Sequence, residues 1–246
     1  MSISLFKKGI PGAGFDAFGC PLKFRSAKEA GCAFGLIPQD GLIFYAPLSE
    51  YAETAVTGQW LETSGDIEYT EENGVPCGYF DGESYLYYDY GDGDLPQGAE
   101  PNTMSVWAKA THIEDFVTPF AYGYGFTEDD NHRKICLMSD GTLEFSNNDS
   151  GVISSGVPVD YTLWHHYCLT ISDVSEGGIS LYIDGIKFKT GSCRLNTDSE
   201  GKLCIGVDPW KPGNFGLMYG YLASCRIYDR VLSLSEIKAL AREFNV

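Results

Sequence analysis

Residues 164–188 read WHHYCLTISDVSEGGISLYIDGIKF, and this stretch decides the fold of the 246-residue chain. Apolar side chains alternate with polar ones on both sides of a turn-prone patch at 173–178, a period of two that is typical of half-buried strands. Asp184-Gly185 then favours a two-residue hairpin turn, because both of its central positions need positive φ. The stretch therefore predicts a three-stranded antiparallel meander whose core faces carry Tyr167, Leu169, Ile171, Ile179, Leu181 and Ile183.

The two-residue turn also sets the pairing register of the second hairpin. In that register each residue before Asp184 faces one equally far beyond Gly185. The facing pairs are predicted to be Ile183 with Ile186 and Leu181 with Phe188 on the buried face, and Tyr182 with Lys187 on the other.

Further short motifs follow one another along the chain, and their order is informative. They are Tyr79–Gly82 (YFDG), Met104–Lys109 (MSVWAK), Trp164–Tyr167 (WHHY), Leu181–Gly185 (LYIDG) and the closing stretch Gly220–Ser233. Together they resemble the signature of laminin-G-like, concanavalin A-like jelly rolls, over about residues 40–246. The resemblance implies a fold but says little about function, since this fold hosts lectins, glycosidases and adhesion modules.

The predicted fold class is all-β: a two-sheet antiparallel jelly-roll sandwich with a short C-terminal helix and an N-terminal arm. We assign the sandwich to residues 39–246, with a loop at 49–63 and the next strand at 65–70. Ser233 and Glu236 form a capping box that starts the helix, and Leu232 with Ile237 can form a hydrophobic staple. Its inward stripe is Ile237, Leu240, Ala241 and Phe244.

Residues 1–38 form the arm, which is rich in Gly and Pro and carries five phenylalanines. A segment this apolar is unlike an ordinary disordered tail. We expect the arm to pack on the sandwich or on a neighbouring copy, which makes a homo-oligomer a candidate state.

The net charge of −17 argues against nucleic acid and anionic membrane surfaces as partners, because both attract basic patches. No run of 18 apolar residues occurs, and the first residues lack the apolar core of a signal peptide. Localisation therefore stays open between a reducing compartment, export without a cleaved signal, and a leader absent from this sequence.

The eight cysteines include no CxxC pair and no zinc-like spacing. We expect Cys136, Cys168, Cys204 and Cys225 to be buried free thiols.

Glycoside hydrolysis requires two carboxylates flanking the scissile bond. The nearest pattern is Glu68 and Glu72, which would share one face of a strand, with Thr70 where glucanases of this fold carry the middle acid. A solvent-exposed strand end explains these residues better. His165 and His166 lack a nearby nucleophile motif, and we interpret them as structural, one inward and one outward.

Many relatives bind calcium at one edge of the sandwich, through oxygen ligands. The resemblance implies ligands in the last strand and in an early loop, but those positions read Leu222-Ala223-Ser224 and Leu48-Ser49-Glu50. We therefore expect no metal and no other cofactor at the usual site. Two acidic loops, Asp89–Asp94 and Asp129–Asn131, are more typical of solvated turns than of calcium sites.

Sugar binding uses aromatic faces together with amide and carboxylate groups. Two segments combine both, at 208–215 and 122–126. Trp210 is the strongest candidate because it stands between two prolines in a Gly-bearing loop; the alternative is that it packs over the sheet edge. The candidate ligand-binding residues are Trp210, Asp208, Asn214, Phe215, Tyr122 and Tyr124.

The leading functional hypothesis is a non-catalytic recognition module that binds carbohydrate, or otherwise a protein partner. The alternative is a structural component of a larger assembly such as a phage or prophage particle, which the apolar arm would suit. A glycoside hydrolase comes third, because no clear carboxylate pair is visible.

Overall fold

The computed structural model describes residues 37–50, 60–123, 132–146, 152–172, 178–210 and 212–246, and the backbone of 14–15 and 21–22. These residues contain seventeen strands and one helix. The strands are β1 Gly14–Phe15, β2 Pro21–Leu22, β3 Leu42–Ala46, β4 Glu62–Ser64, β5 Glu68–Glu72, β6 Val75–Asp81, β7 Tyr85–Tyr90, β8 Asn102–Ala110, β9 Phe116–Gly123, β10 His132–Met138, β11 Leu143–Ser146, β12 Val152–Ser154, β13 His165–Ile171, β14 Ile179–Ile183, β15 Ile186–Gly191, β16 Gly201–Ile205 and β17 Tyr219–Tyr228, and the helix is α1 Leu234–Leu240.

Two antiparallel sheets form the sandwich. The seven-stranded sheet has the order β12-β11-β10-β9-β16-β7-β4, and the eight-stranded sheet has the order β15-β14-β13-β8-β17-β6-β5 with β3 paired to β17. The remaining pair, β1 with β2, is a short separate ladder. The predicted all-β sandwich with a C-terminal helix is confirmed. Apart from these two strands and residues 37–38, the predicted arm lies outside the described residues.

The core lies between the inner faces of the two sheets, where alternate residues of each strand meet. Phe44 of β3 stacks on Phe120 of β9 and Tyr88 of β7, with ring centroids 5.8 and 6.1 Å apart. Phe80, Phe120 and Phe145 are fully buried. Burial of a side chain of this size stabilises the fold by about 1.5–3 kcal/mol. These aromatic residues therefore contribute much of the stability of the core.

The meander at 165–191 is confirmed, with one correction to its register. Asp184 and Gly185 both have positive φ, and Ile183 pairs with Ile186 as predicted. Leu181, however, faces Lys189 instead of Phe188, because a bulge intervenes between Leu181 and Tyr182 on this ladder. Ile186 is 60% exposed and not buried. Strand β15 is the sheet edge, where bulges are common and one neighbour is missing.

Helix α1 and the residues flanking it cover the outer face of the same sheet. Leu232, Ile237 and Leu240 pack on Cys168, Tyr182 and Tyr228, so β13 and β14 are buried on both faces. The predicted capping box is present between Ser233 and Glu236. Ala241 is the C-cap and only partly buried, whereas Ala239 is buried. Beyond the helix, Glu243 forms a two-pronged ion pair with buried Arg226, at 2.7 Å for both contacts.

The described cysteines are buried free thiols, which confirms that prediction for Cys136, Cys168, Cys204 and Cys225.

A second buried arginine, in the seven-stranded sheet, holds a loop in place. Arg133 of β10 donates to the carbonyls of Gln97, Gly98 and Glu100. It therefore anchors the loop between β7 and β8 to the sandwich.

Candidate functional site

The loop between β16 and β17 is anchored at the end of the seven-stranded sheet. Its two arms are joined by a hydrogen bond of 3.1 Å from the Asp208 amide to the Phe215 carbonyl, and the Gly216 carbonyl accepts from the Thr118 amide of β9 at 2.8 Å. Gly216 has φ of +63°, and a Cβ there would meet the Thr118 hydroxyl at 2.7 Å. The loop is thus fixed against β9, and only glycine fits this close approach.

Asp208 supports this loop from below and is fully buried. One carboxylate oxygen accepts from the Lys134 ammonium of β10 at 2.7 Å, and the other accepts from the Trp210 amide at 2.9 Å. Lys134 is 4% exposed. Because a buried ion pair that loses one partner costs about 3–5 kcal/mol, this contact holds the loop in place. Asp208 was predicted to contact ligand; the structure instead gives it a positioning role.

Trp210 and Phe215 form the exposed part of the loop. Their rings meet edge to face with centroids 5.3 Å apart, and Phe215 in turn meets Phe116 of β9 at 5.1 Å. Phe215 is 40% exposed. Trp210 is half-buried, so it is neither fully presented to solvent nor fully packed over the sheet edge, the two alternatives that the sequence left open. Asn214 beside them is exposed.

Tyrosines of β7 extend this aromatic surface. Leu86 and Tyr88 point into the core, so Tyr85 and Tyr87 lie on the outer face, with their rings 5.8 Å apart. Gly213 lies beside Tyr85, since a Cβ added to it would be 3.7 Å from that ring. We call Tyr85, Tyr87, Trp210 and Phe215 the aromatic platform.

Polar groups on β4 and β16, the two neighbours of β7, border the platform. The Tyr87 hydroxyl donates to Glu62 at 2.7 Å, and the Lys202 ammonium lies 4.7 Å from the Tyr87 ring centroid. Trp60 is 65% exposed and shares the outer face with Glu62, since buried Leu61 lies between them in sequence. The sequence reasoning missed Tyr85 and Tyr87, although their alternation with apolar residues in YLYYDY would have placed them outward.

The other predicted segment does not supply contact residues. Tyr122 belongs to β9 and is fully buried; its hydroxyl donates to the Pro96 carbonyl at 3.1 Å. Burial raises its pKa to about 12. The prediction that Tyr122 lies in a ligand-binding loop is therefore wrong, because the aromatic-rich run continues the strand. Tyr124 lies outside the described residues.

Both histidines of the WHHY motif make contacts within the fold. The His165 ring contacts the Asp184 carboxylate of the hairpin turn at 2.7 Å. His166 is fully buried beside Trp107, with ring centroids 5.6 Å apart. Burial and, secondarily, the charge of Arg226 lower the pKa of His166 to about 3. It stays neutral at physiological pH.

A second concave surface lies on the outer face of the eight-stranded sheet. Its cavity, of about 150 Å³, is lined by Glu68, Thr70 and Glu72 of β5, Tyr79 of β6 and Tyr221 of β17. We call it the β5 pocket. Glu68 and Glu72 share this face, with Thr70 between them on the strand. Glu72 is already paired with Lys109.

Sequence comparison places this architecture in a family. Residues 81–238 match the family described as the concanavalin A-like lectin/glucanases superfamily, which is more than half of the chain. The chain belongs to this superfamily. No curated protein sequence matches the chain.

Solved structures similar to this concanavalin A-like chain share its fold at low sequence identity. Domain 4 of AbnA, a GH43 extracellular arabinanase from Geobacillus stearothermophilus in complex with arabinotriose, is 18% identical with a TM-score of 0.63, covering 83% of this chain and all of that one. The Ruminococcus gnavus IT-sialidase CBM40 bound to α2,3-sialyllactose is 15% identical with a TM-score of 0.51, over 58% and 83% of the two chains. The binding domain of Paraclostridial Mosquitocidal Protein 1 is 15% identical with a TM-score of 0.58, over 82% and 52%.

The calcium positions implied for the superfamily hold other groups in this member. Ala223 and Ser224 are buried, and the Ser224 hydroxyl donates to Glu243. Near the end of β7, Asp89 pairs with Lys202. In the loop that follows, Asp92 accepts from Gln97 and Asp94 accepts from the Gly91 amide. Among the described residues no group of three or more His, Cys, Asp or Glu could hold a metal ion. The loop Asp129–Asn131 lies outside them.

No helix in the described part of this superfamily member is long and apolar enough to cross a membrane.

Proposed function

We propose that the chain is a non-catalytic carbohydrate-binding module whose contact surface is the aromatic platform. The observation that carries the proposal is the cluster of four partly exposed aromatic rings, two on strand β7 and two on the loop that Lys134 and Asp208 anchor. Pyranose rings stack their C–H faces on such rings, and Asn214, Glu62 and Lys202 offer hydrogen bonds at the rim. Fixing the loop before binding lowers the entropy that the complex must lose.

Two further observations support binding over cleavage. Structures with this fold include an arabinanase domain in complex with arabinotriose and a sialidase module bound to sialyllactose. Thr70 stands where glucanases of this fold carry the middle acid of the strand, and Glu72 is already paired with Lys109. The net charge of −17 further favours neutral or cationic glycans over anionic ones.

The proposal is tested by a glycan array, followed by calorimetric titration of the best ligand. Trp210→Ala and Phe215→Ala should each weaken binding about tenfold or more, as expected for an aromatic residue central to an interface. Leu234→Ala is the matched control, because it removes an exposed apolar side chain from α1, which packs on the other sheet. Titrations in calcium and in chelator should give equal affinities. Thermal melts verify that each variant is folded.

Three outcomes would contradict the proposal. If the platform variants bind as the wild type does, the contact surface lies elsewhere. Release of reducing ends from glycans, abolished by Glu68→Gln or Glu72→Gln, would make the protein an enzyme. A chain that binds no glycan would favour the alternative of a structural component in a larger assembly, to which the N-terminal arm would contribute.

A further inference from the structure

The β5 pocket lies on the opposite sheet from the aromatic platform and has a different chemistry. Four outward side chains form one row across neighbouring strands: Glu68 of β5 pairs with Tyr79 of β6, Tyr79 with Tyr221 of β17, and Tyr221 with Lys109 of β8. An acid thus stands at one end of the row, a base at the other, and two aromatic rings 5.1 Å apart between them.

The pocket already holds a cation from its own chain at one end. The Lys109 ammonium lies 5.7 Å from the Tyr221 ring centroid and forms an ion pair with Glu72. The Lys109 side chain is only 15% exposed. An ammonium group between an aromatic face and a carboxylate is a favourable arrangement, worth about 0.5–2 kcal/mol for the aromatic contact alone. This end of the pocket is therefore neutralised.

The other end also has a carboxylate and an aromatic residue. Glu68 is directly opposite Tyr79 on the neighbouring strand, both line the pocket, and Glu68 forms no ion pair among the described residues. Glu71 on the same strand points to the opposite face, away from the pocket. Thr70 places a hydroxyl in the lining between Glu68 and Glu72. An external ammonium group fits beside Glu68 and Tyr79.

The walls of the pocket are held in place. The Trp164 indole donates to the Glu72 carbonyl at 3.0 Å, and its ring lies 6.3 Å from that of Tyr221. Beneath them, Cys77, Trp107 and Ala223 form a buried cluster. A rigid lining of this kind binds with a small loss of entropy.

We propose that the β5 pocket binds an amino sugar with a free, protonated amine. The ammonium group pairs with Glu68, the C–H face of the ring lies on Tyr79 and Tyr221, and Thr70 bonds a hydroxyl. The sugar part of this assignment rests on the proposed carbohydrate-binding function; the cation part rests on the pocket alone.

The test uses the full chain at about pH 6, where a sugar amine is protonated. A glucosamine trimer, its N-acetylated counterpart and spermidine are each titrated into the protein while the heat of binding is recorded. The glucosamine trimer should bind at least tenfold more tightly than the acetylated trimer, and added salt should weaken it. Glu68→Gln and Tyr79→Ala should each reduce this binding at least tenfold. Glu71→Gln, which removes the same charge from the other face of β5, should leave it unchanged.

The outcomes separate this proposal from the platform. Equal binding of the acetylated trimer, or unchanged binding by Glu68→Gln, would overturn the pocket proposal. Equal, Glu68-dependent binding of spermidine would overturn the sugar assignment. Amine-dependent binding without any neutral-glycan binding would support the pocket proposal and contradict the platform proposal. Binding of neutral glycans without any amine-dependent binding would support the platform proposal and contradict the pocket proposal.

Discussion

At the scale of single residues, His166 couples stability to pH. Its ring is fully buried and neither nitrogen has a hydrogen-bond partner in the described structure. Burial lowers the pKa of His166 to about 3, while an unfolded histidine titrates near 6.5. Between these values the unfolded chain binds a proton that the folded chain does not. The contribution of His166 to stability is therefore fully present above pH 6.5 and is lost progressively as the pH drops towards 3.

We expect the free energy of unfolding to fall by about 2 kcal/mol because of His166 when the pH is lowered from 7 to 5. His166→Phe should remove this part of the acid sensitivity while keeping the contact with Trp107. At pH 7 it should be tolerated, because a buried nitrogen without a partner is replaced by an apolar atom. Urea unfolding at both pH values measures the difference. His112→Gln, at an exposed position, is the control and should keep the wild-type pH dependence.

If the His166→Phe protein loses as much stability on acidification as the wild type does, the acid sensitivity comes from other groups.

At the scale of elements, the seven-residue helix α1 depends on its cap. The Ser233 hydroxyl accepts from the Glu236 amide, the Glu236 carboxylate accepts from the Ser233 amide at 2.7 Å, and Arg230 also pairs with Glu236. This helix covers Cys168, Tyr182 and Tyr228. Capping is thus linked to the burial of a sheet face.

Ser233→Ala should lower the free energy of unfolding by about 1 kcal/mol, because an orphan amide at the helix start loses its acceptor. Denaturant unfolding checks the value. Lys238→Ala serves as the control, since it lies on the exposed side of the helix and alanine is the best helix former. If both variants are equally stable, tertiary packing alone holds α1.

Elements with strong local signals were predicted from the sequence, and those without were not. The Asp184-Gly185 turn, the capping box and the alternating strands all have short-range patterns. Strand β4, in the predicted loop at 49–63 and just beyond it, is a three-residue edge strand of polar residues, so no alternation marks it. The bulge in the 179–191 hairpin likewise has no local signal.

The candidate site was predicted only in its loop. Trp210, Asn214 and Phe215 lie together in sequence, whereas Tyr85 joins them because the strand order places β16 beside β7. Tyr122 was misplaced because its burial depends on β10 and on the loop anchored by Arg133. Such long-range adjacency is absent from any local pattern.

At the scale of the whole molecule, contacts show where the sandwich begins. Ile37 packs on the cluster beneath α1, and the buried Tyr228 hydroxyl donates to the Pro38 carbonyl at 3.0 Å. The Gly41 carbonyl accepts from the Asp229 amide at 2.9 Å, and Arg230 pairs with Asp40. Residues 37–41 thus belong with the sandwich, so the boundary at 38 drawn from the sequence falls within this group of contacts.

Removing residues 1–36 should leave a chain that folds cooperatively, because the core and these contacts remain. Removing residues 1–41 should lower the melting temperature by several degrees more, since about 2–4 °C is lost per kcal/mol in a domain of this size. Calorimetry of the two truncated chains measures this difference. Equal melting temperatures would show that the contacts of 37–41 add nothing to stability.

The same truncation tests whether the arm links copies of the chain. The five phenylalanines of residues 1–38 would be costly to expose, at about 25 cal/mol per Å² of apolar surface. If they are covered by a neighbouring copy, light scattering should give a mass above one chain for the full protein and the mass of one chain without residues 1–36. If they pack on their own sandwich, the mass stays that of one chain and the full protein melts at the higher temperature. An arm whose removal changes neither quantity makes no contact that stabilises the molecule.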